Sequence, residues 1–199
     1  RYVAFSSGAD NLVLDDTNGK WDVFVKDLLL NEIKIVSKST LGELGNNDSG
    51  NNYTSISSDG RYITFASSAT NLVQDDTNGV DDIFFHDCQT GITKRISINN
   101  EGQEADAGSF DPEISSNGRY IIFESYAGNL SDNATYGNND IYFYDRVLNT
   151  LRSIYIHAGS SLNSVVSGNG NYTAFSSSLE SIVPDDINGV EDIFVAPAP

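Results

Sequence analysis

One string of residues recurs four times along the chain, and this repetition restricts the possible folds more than any other feature. The four copies read RYVAFSS from Arg1, RYITFASS from Arg61, RYIIFES from Arg119 and NYTAFSSS from Asn171. A second string, in which Asp precedes an apolar and aromatic run, follows each copy at a constant spacing. From Phe5 to Asp22 is 17 residues, and the other three copies keep the same interval. Repeats of this length indicate copies of one supersecondary unit that must stack to bury their apolar surfaces.

Each copy predicts four short antiparallel strands, which we label A to D. The strings are rich in Ile, Val, Phe, Tyr and Thr and are bounded by Gly, Asn, Asp and Ser, as strands are. A tight turn is predicted between A and B, at Asp59-Gly60, Asn117-Gly118 and Asn169-Gly170. A second turn, between C and D, is predicted to need a left-handed residue at Asn31, Gly91 and Asn149. No helical periodicity persists, so we expect almost no helix.

Four-stranded antiparallel units at this period are typical of a β-propeller, in which each sheet packs between its neighbours. The consecutive apolar residues Ile83, Phe84 and Phe85 agree, because a blade is covered on both faces. A β-sandwich, the alternative, would predict cleaner alternation of apolar and polar residues. We therefore predict an all-β fold, a propeller of four-stranded antiparallel blades in one domain. The repeats are predicted at residues 1–38, 53–98, 110–156 and 162–195.

The first and last repeats are incomplete, because the first lacks strand A and the last lacks strand D. The chain opens within a repeat, so we expect a processed chain. Three arrangements remain open: part of a propeller of about six to eight blades, a small four-bladed ring, or a unit whose open ends are completed by other copies.

The combined pattern resembles the repeats of bacterial TolB-like propellers. The strings S-x-[DN]-G-R-Y-[IV]-x-F and N-L-V-x-D-D-T-N-G-x-x-D-[IV]-F carry this resemblance across nearly the whole chain. The resemblance implies a propeller fold in an extracytoplasmic protein, extracellular or periplasmic. It does not imply one function, because propellers of one fold serve unrelated functions.

The loop between strands B and C carries paired aspartates and never changes length, unlike the loops between repeats. Its D-x-N-G-x-x-D string resembles the later part of a calcium loop, in which alternating oxygens converge around a turn that Gly permits. Ca²⁺ takes about six to eight such oxygens. The predicted Ca²⁺ ligands are Asp15, Asp16, Asn18 and Asp22 in the first repeat, Asp75, Asp76, Asn78 and Asp82 in the second, and Asp185, Asp186, Asn188 and Asp192 in the fourth.

The calcium pattern is incomplete, and a simpler interpretation exists. The first ligand position of the full motif holds no carboxylate, but Leu14, Gln74 or Pro184. The third repeat has Ala134 and Tyr136 in place of an Asp and an Asn, so we expect weak ion binding there or none. Asp and Asn before Gly also form turns without a metal. Acids held this close nevertheless repel one another, and a cation removes that cost.

Composition limits the partners. The formal net charge is −17, with 28 acidic and 11 basic residues, which argues against nucleic acid because phosphate binding needs a basic surface. No apolar run approaches the roughly 20 residues of a membrane-spanning helix, so we expect no membrane insertion.

Motifs for catalysis do not emerge from the sequence. It contains no nucleophile elbow, no zinc-protease motif and no phosphate loop, and a triad has only two histidines to draw on. We therefore predict no enzyme, but a non-catalytic scaffold that binds proteins, including other copies of itself. The alternatives are a propeller that recognises carbohydrate or peptide, with a glycan as ligand, and the propeller part of a larger hydrolase.

Overall fold

The computed structural model describes residues 1–132, 134, 136–155, 161–180, 182–184 and 186–198. Within these ranges the secondary structure is entirely β, with fourteen strands in four antiparallel sheets that follow one another in sequence order. The predicted all-β propeller blades are therefore confirmed. We number the sheets blades I to IV.

Blades II and III have the four predicted strands, whereas in the described residues blade I has B, C and D and blade IV has A, B and C. Blade I consists of β1 (Tyr2–Ser7), β2 (Asp22–Asp27) and β3 (Glu32–Ile35). Blade II consists of β4 (Ser49–Ile56), β5 (Tyr62–Ser67), β6 (Asp82–Asp87) and β7 (Ile92–Arg95). Blade III consists of β8 (Ser109–Ile114), β9 (Tyr120–Ser125), β10 (Asp140–Asp145) and β11 (Thr150–Tyr155). Blade IV consists of β12 (Ser161–Val166), β13 (Tyr172–Ser177) and β14 (Asp192–Pro197).

Strand A of blade II begins at Ser49, four residues before the predicted boundary at Tyr53. The polar stretch from Ser49 has no apolar periodicity to mark it as a strand. It joins the sheet because Ser49 pairs with Ser67, and their hydroxyl oxygens lie 2.8 Å apart. An irregularity in the register between Ser49 and Thr54 absorbs the extra residues.

The predicted left-handed turn residues are confirmed. In the A–B turns, φ is +74° at Gly60, +69° at Gly118 and +76° at Gly170. In the C–D turns, φ is +58° at Asn31, +73° at Gly91 and +55° at Asn149. In blades II and III the two turns lie at the same end of the B–C pair, opposite the B–C loop, because Tyr62 pairs with Asp87 and Tyr120 with Asp145.

Successive residues of strand C pack against different neighbouring blades. Phe84 stacks on Phe65, with ring centroids 5.9 Å apart, in a core that also contains Val23 of blade I. Ile83 and Phe85 belong to a second core, shared with blade III. This two-sided burial explains why three consecutive apolar residues occur in one strand.

In blades I, II and III a tyrosine contacts the A–B turn of the next blade, and we call this the tyrosine–glycine contact. The ring of Tyr2 lies over Gly60 so closely that an added Cβ would come within 2.1 Å of it. Tyr62 packs on Gly118 in the same way, with a corresponding distance of 2.4 Å. Tyr120 packs on Gly170, where that distance is 1.9 Å. Glycine is therefore required here by space as well as by φ.

The arginine that opens strand B pairs with the aspartate that ends strand C of the same blade. The shortest nitrogen–oxygen distances are 2.7 Å for Arg1–Asp27, 2.8 Å for Arg61–Asp87 and 2.7 Å for Arg119–Asp145. For Arg61 and Arg119 the sequence favours pairing with an acid over binding an anionic ligand, and the structure confirms it.

We expect Arg119→Gln to lower the free energy of unfolding only slightly at pH 7, because the pair is partly exposed and water screens it. Hydrogen bonding to Arg119 lowers the pKa of Asp145 below its usual value of 3.8. The pair therefore stabilises the fold above about pH 4, and its contribution is lost as the pH falls further. Urea unfolding at pH 7 and pH 3 checks this. Lys94→Gln, which removes an exposed charge, is the control, and an equal loss in both variants would contradict the prediction.

Candidate functional site: the B–C loops

The B–C loops of blades I, II and IV bend at the glycine of the D-x-N-G string. The φ values are +62° at Gly19, +67° at Gly79 and +68° at Gly189. The asparagine before each glycine accepts a hydrogen bond from the backbone N–H two residues later, over 3.0 to 3.2 Å. The local turn that the sequence predicts as the alternative to a metal site therefore forms in all three loops. These asparagines are Asn18, Asn78 and Asn188.

The last predicted ligand of the loop is buried where strand C begins. Asp22 and Asp82 are fully buried, and each accepts a hydrogen bond from a serine that follows strand D of its own blade. Those serines are Ser37 and Ser97. Burial raises the pKa of both carboxyl groups, and the serine hydrogen bond opposes that rise. The structure thus places a carboxylate with a raised pKa beneath the loops of blades I and II.

In blade II a guanidinium lies among the predicted ligands. Nη1 of Arg95 is 3.2 Å from Oδ1 of Asp76, 3.1 Å from Oδ2 of Asp82 and 3.0 Å from Oε2 of Glu104. Nη2 donates to the backbone carbonyl of Asp75 over 3.1 Å. The Arg95 side chain is only 8% exposed. Burial and the charge of Asp82 raise the pKa of Asp76 to about 6, although Arg95 opposes this.

In blade I the same positions hold apolar side chains. Ile35 pairs with Phe24 across strands C and D, as Arg95 pairs with Phe84 in blade II. Ile35 therefore occupies the position on strand D that Arg95 occupies in blade II. Leu44 forms an isolated backbone β-bridge with Lys38, as Glu104 does with Ile98 in blade II. A leucine therefore occupies the position of Glu104, the third acid around the guanidinium. Blade I therefore keeps the two aspartates and lacks the arginine.

Two carboxylate oxygens of blade I are buried without a hydrogen-bond partner, namely Oδ1 of Asp16 and Oδ2 of Asp22. Asp16 is 7% exposed and Asp22 is fully buried. Burial raises the pKa of Asp16, and the charges of Asp10 and Asp15 add to the rise. The negative charge of Asp16 in turn helps to raise the pKa of Asp22. The two carboxyl groups thus lie close enough to repel each other.

The other two blades show partial versions of this arrangement. In blade IV, Oδ2 of Asp186 is buried without a hydrogen-bond partner, while Asp192 accepts a hydrogen bond of 2.7 Å from Asn188. Asp185 lies outside the described residues. In blade III, Asn133 also lies outside them, so the predicted difference of that loop stays a prediction.

Arg95 and Glu104 are not among the residues that the sequence predicts for this site. Both lie far from the loop in sequence, on strand D and in the connection after it. A signal was present: the D-strand string reads ITKRISI in the second repeat and EIKIVSK in the first.

Among the described residues, no group of three or more His, Cys, Asp or Glu side chains has the geometry to hold a metal ion. A divalent cation at one of these loops would therefore complete its coordination with asparagine or backbone carbonyls and water. The Ca²⁺ assignment of the loops stays a prediction.

Comparison with known proteins adds information on the fold. No family profile and no curated protein matches this sequence. Among solved structures, TolB from Acinetobacter baumannii superposes with a TM-score of 0.56 at 18% identity, covering 98% of this chain and 38% of that one. The tricorn protease superposes with a TM-score of 0.61 at 16% identity, covering 98% of this chain and 17% of that one.

A third structure matches over a similar extent. The β-propeller domain of the Trilobed protease from Pyrococcus furiosus superposes with a TM-score of 0.55 at 14% identity, covering 98% of this chain and 51% of that one. Each match runs through all four blades of this chain.

This chain has a TolB-like β-propeller fold. It spans 38% of the length of the Acinetobacter TolB and 17% of the tricorn protease. At these levels of identity the likeness establishes the TolB-like fold alone, since one propeller fold carries many functions. In the described part of this TolB-like chain, no helix has the length and apolarity needed to cross a membrane.

Proposed function

We propose that this chain is part of a non-catalytic, extracytoplasmic propeller scaffold that binds protein through an open blade face. The partners we propose are other copies of the same chain. We further propose that the B–C loops hold Ca²⁺. The observation that carries the scaffold proposal is the exposure, in blade IV, of residue positions that are buried in the other blades.

The exposed surface, which we call the blade IV face, consists of Tyr172, Ala174, Ile193 and Val195. Ile193 is 80% exposed and Val195 is 69% exposed. Their counterparts in blade II, Ile83 and Phe85, are 0% and 5% exposed because blade III covers them. A face of this kind needs a covering surface, which a further blade of the same polypeptide or a second copy can supply, and we propose the second copy.

The first blade of a second copy offers a matching surface. In the joint between blades I and II, Val23 and Val25 pack against Ile63 and Phe65. On blade I the residues equivalent to Ile63 and Phe65 are Val3 and Phe5, and Val3 is 43% exposed. That joint would lack strand A of the following blade, together with the glycine turn that contacts the tyrosine in the internal joints. Because the two surfaces differ, the contact would be head to tail and would build rings or filaments.

Self-association through the blade IV face predicts that the sedimenting mass grows with protein concentration. We expect Ile193→Asp to abolish this growth, because a charge at the centre of the joint would be buried without a partner. Ile187→Asp is the matched control, since Ile187 is 86% exposed and lies in the B–C loop, away from the face. Sedimentation velocity checks the result. A chain that stays monomeric at every concentration would contradict this part of the proposal.

The proposed extracytoplasmic location is supported by the few ligands that each loop offers. Ca²⁺ sites with few charged ligands bind at about 10⁻⁴ to 10⁻³ M, as in extracellular modules. Loops with only two or three carboxylates would therefore fill outside the cytoplasm, where calcium is abundant.

A second candidate is a propeller attached to a hydrolase. The match to the tricorn protease favours it, because most of that protein lies beyond the matched region. The described residues offer little for catalysis of their own. His86 is 2% exposed and its Nδ1 lies 2.9 Å from the hydroxyl of Thr93, while His157 lies outside the described residues. A hydrolase domain in the same polypeptide would favour this candidate over the scaffold.

A further inference from the structure

We propose that blades I and II neutralise the same pair of aspartates in two different ways. In blade II the positive charge is Arg95 of the chain itself, and in blade I it is a bound Ca²⁺ ion held by Asp16 and Asp22. This inference rests on the Ca²⁺-binding part of the proposed function and restricts it, because the loop of blade II then needs no ion.

The carboxylate oxygens of the two aspartates correspond between the two blades. In blade II the carboxylate oxygens that face the guanidinium are Oδ1 of Asp76 and Oδ2 of Asp82, at 3.2 and 3.1 Å from Nη1. Their counterparts in blade I are Oδ1 of Asp16 and Oδ2 of Asp22, the two oxygens that are buried without a hydrogen-bond partner. The chain thus shows, in its own second repeat, that this pair of oxygens accommodates a positive group.

Blade I has no positive side chain in this position. None of the ion pairs formed by the described residues includes Asp16 or Asp22. Ile35, which replaces the arginine, is 2% exposed. One oxygen of each carboxylate is buried without a hydrogen-bond partner and neither carboxylate has a counter-charge, which is costly, and the repulsion between the two adds to the cost. A cation from solution removes both penalties.

The chemistry of the pair favours a divalent cation that prefers oxygen. Two carboxylates carry two negative charges, which one divalent ion balances. Ca²⁺ tolerates irregular coordination and accepts carbonyls and water as further ligands, whereas Mg²⁺ demands near-ideal octahedral geometry. The preference for Ca²⁺ therefore rests on this tolerance of irregular geometry, since a pair of carboxylates suits either ion.

The test exchanges the side chains at these positions between blades I and II. The number of Ca²⁺ ions bound per chain is then measured by equilibrium dialysis of the chelator-treated protein. Ile35→Arg with Leu44→Glu rebuilds the arginine arrangement in blade I, and we expect it to remove one bound ion per chain. Arg95→Ile with Glu104→Leu rebuilds the blade I arrangement in blade II, and we expect it to add one. Asp16→Asn should remove one ion, as the graft in blade I does.

Folding of each variant is checked by thermal unfolding in chelator and in Ca²⁺. We expect Ca²⁺ to raise the melting temperature of the parent chain, because an ion that binds only the folded state stabilises it. That rise should shrink in Asp16→Asn and in the Ile35→Arg, Leu44→Glu variant. The graft should fold, because blade II already contains the same side chains in the same positions.

The outcomes separate this inference from the proposed function. If the parent binds no Ca²⁺, both the inference and the Ca²⁺ part of the proposed function are wrong, while sedimentation still decides the scaffold part. If the parent binds Ca²⁺ and neither Asp16→Asn nor the blade I graft reduces the number of ions, only the inference is wrong. Loss of one ion in both variants and gain of one in the reciprocal variant would support it.

Discussion

Replacing Gly118 with alanine is expected to lower the free energy of unfolding by about 3 kcal/mol, from backbone strain and overpacking together. The backbone at Gly118 has φ of +69°, which strains any residue with a side chain. The new Cβ would also come within 2.4 Å of the ring of Tyr62, in the joint between blades II and III. Neither the ring nor the turn can move without disturbing that joint.

A second glycine separates the two causes. Gly91 has φ of +73°, but a Cβ added there would meet no atom within 4 Å. Gly91→Ala should therefore cost only the backbone strain, about 1 kcal/mol. Urea unfolding monitored by fluorescence gives both free energies under the same conditions. Equal losses in the two variants would show that the tyrosine–glycine contact has no part in the stability of the joint.

Acidification from pH 7 to pH 4 is expected to remove up to about 3 kcal/mol of stability through His86 alone. Burial and the charge of Lys38 together lower the pKa of His86 to about 4, although the charge of Asp87 opposes them. The folded chain keeps His86 neutral down to that pH, whereas the unfolded chain takes up the proton below about pH 6.5. The contribution is therefore complete above pH 6.5 and is lost as the pH falls towards 4.

The matched variant for this prediction is His86→Tyr, because Tyr144 holds the equivalent position in blade III and is 5% exposed there. We expect this variant to lose less stability than the parent between pH 7 and pH 4, since the carboxyl groups titrate in both chains. Urea unfolding at several pH values measures the two slopes. Parallel slopes would contradict the prediction and would mean that His86 takes up its proton in the folded state.

The strands and turns of this fold could be predicted because their causes are local. Gly60 and Asn31 each adopt the left-handed backbone that their residue types permit, and the apolar strings mark strands B and C. The tyrosine–glycine contact could not be predicted in the same way, because Tyr62 and Gly118 belong to different blades. Strings such as Arg61-Tyr62 and Asn117-Gly118 show which residues recur, but not which copies touch.

The acidic loop was predictable as a turn and only partly as a site. Asp76 and Asp82 recur in a pattern that predicts a bound cation, and the structure shows a positively charged side chain beside them. That group is Arg95, whose type differs from its counterpart Ile35 although both lie on strand D. Repetition draws attention to what the copies share, whereas the charge balance of each loop depends on how the copies differ.

The tyrosine–glycine contacts bear on how such a chain can change in evolution. At each of the three joints the preceding blade supplies a tyrosine ring to the glycine turn of the following blade, so blades II and III both receive a ring and supply one. A segment that encodes one whole repeat can therefore be lost or duplicated, and the blades on either side still meet with matching surfaces. A deletion or duplication whose two ends fall at equivalent positions of two repeats preserves this match. One whose ends fall at different positions of the repeat destroys it.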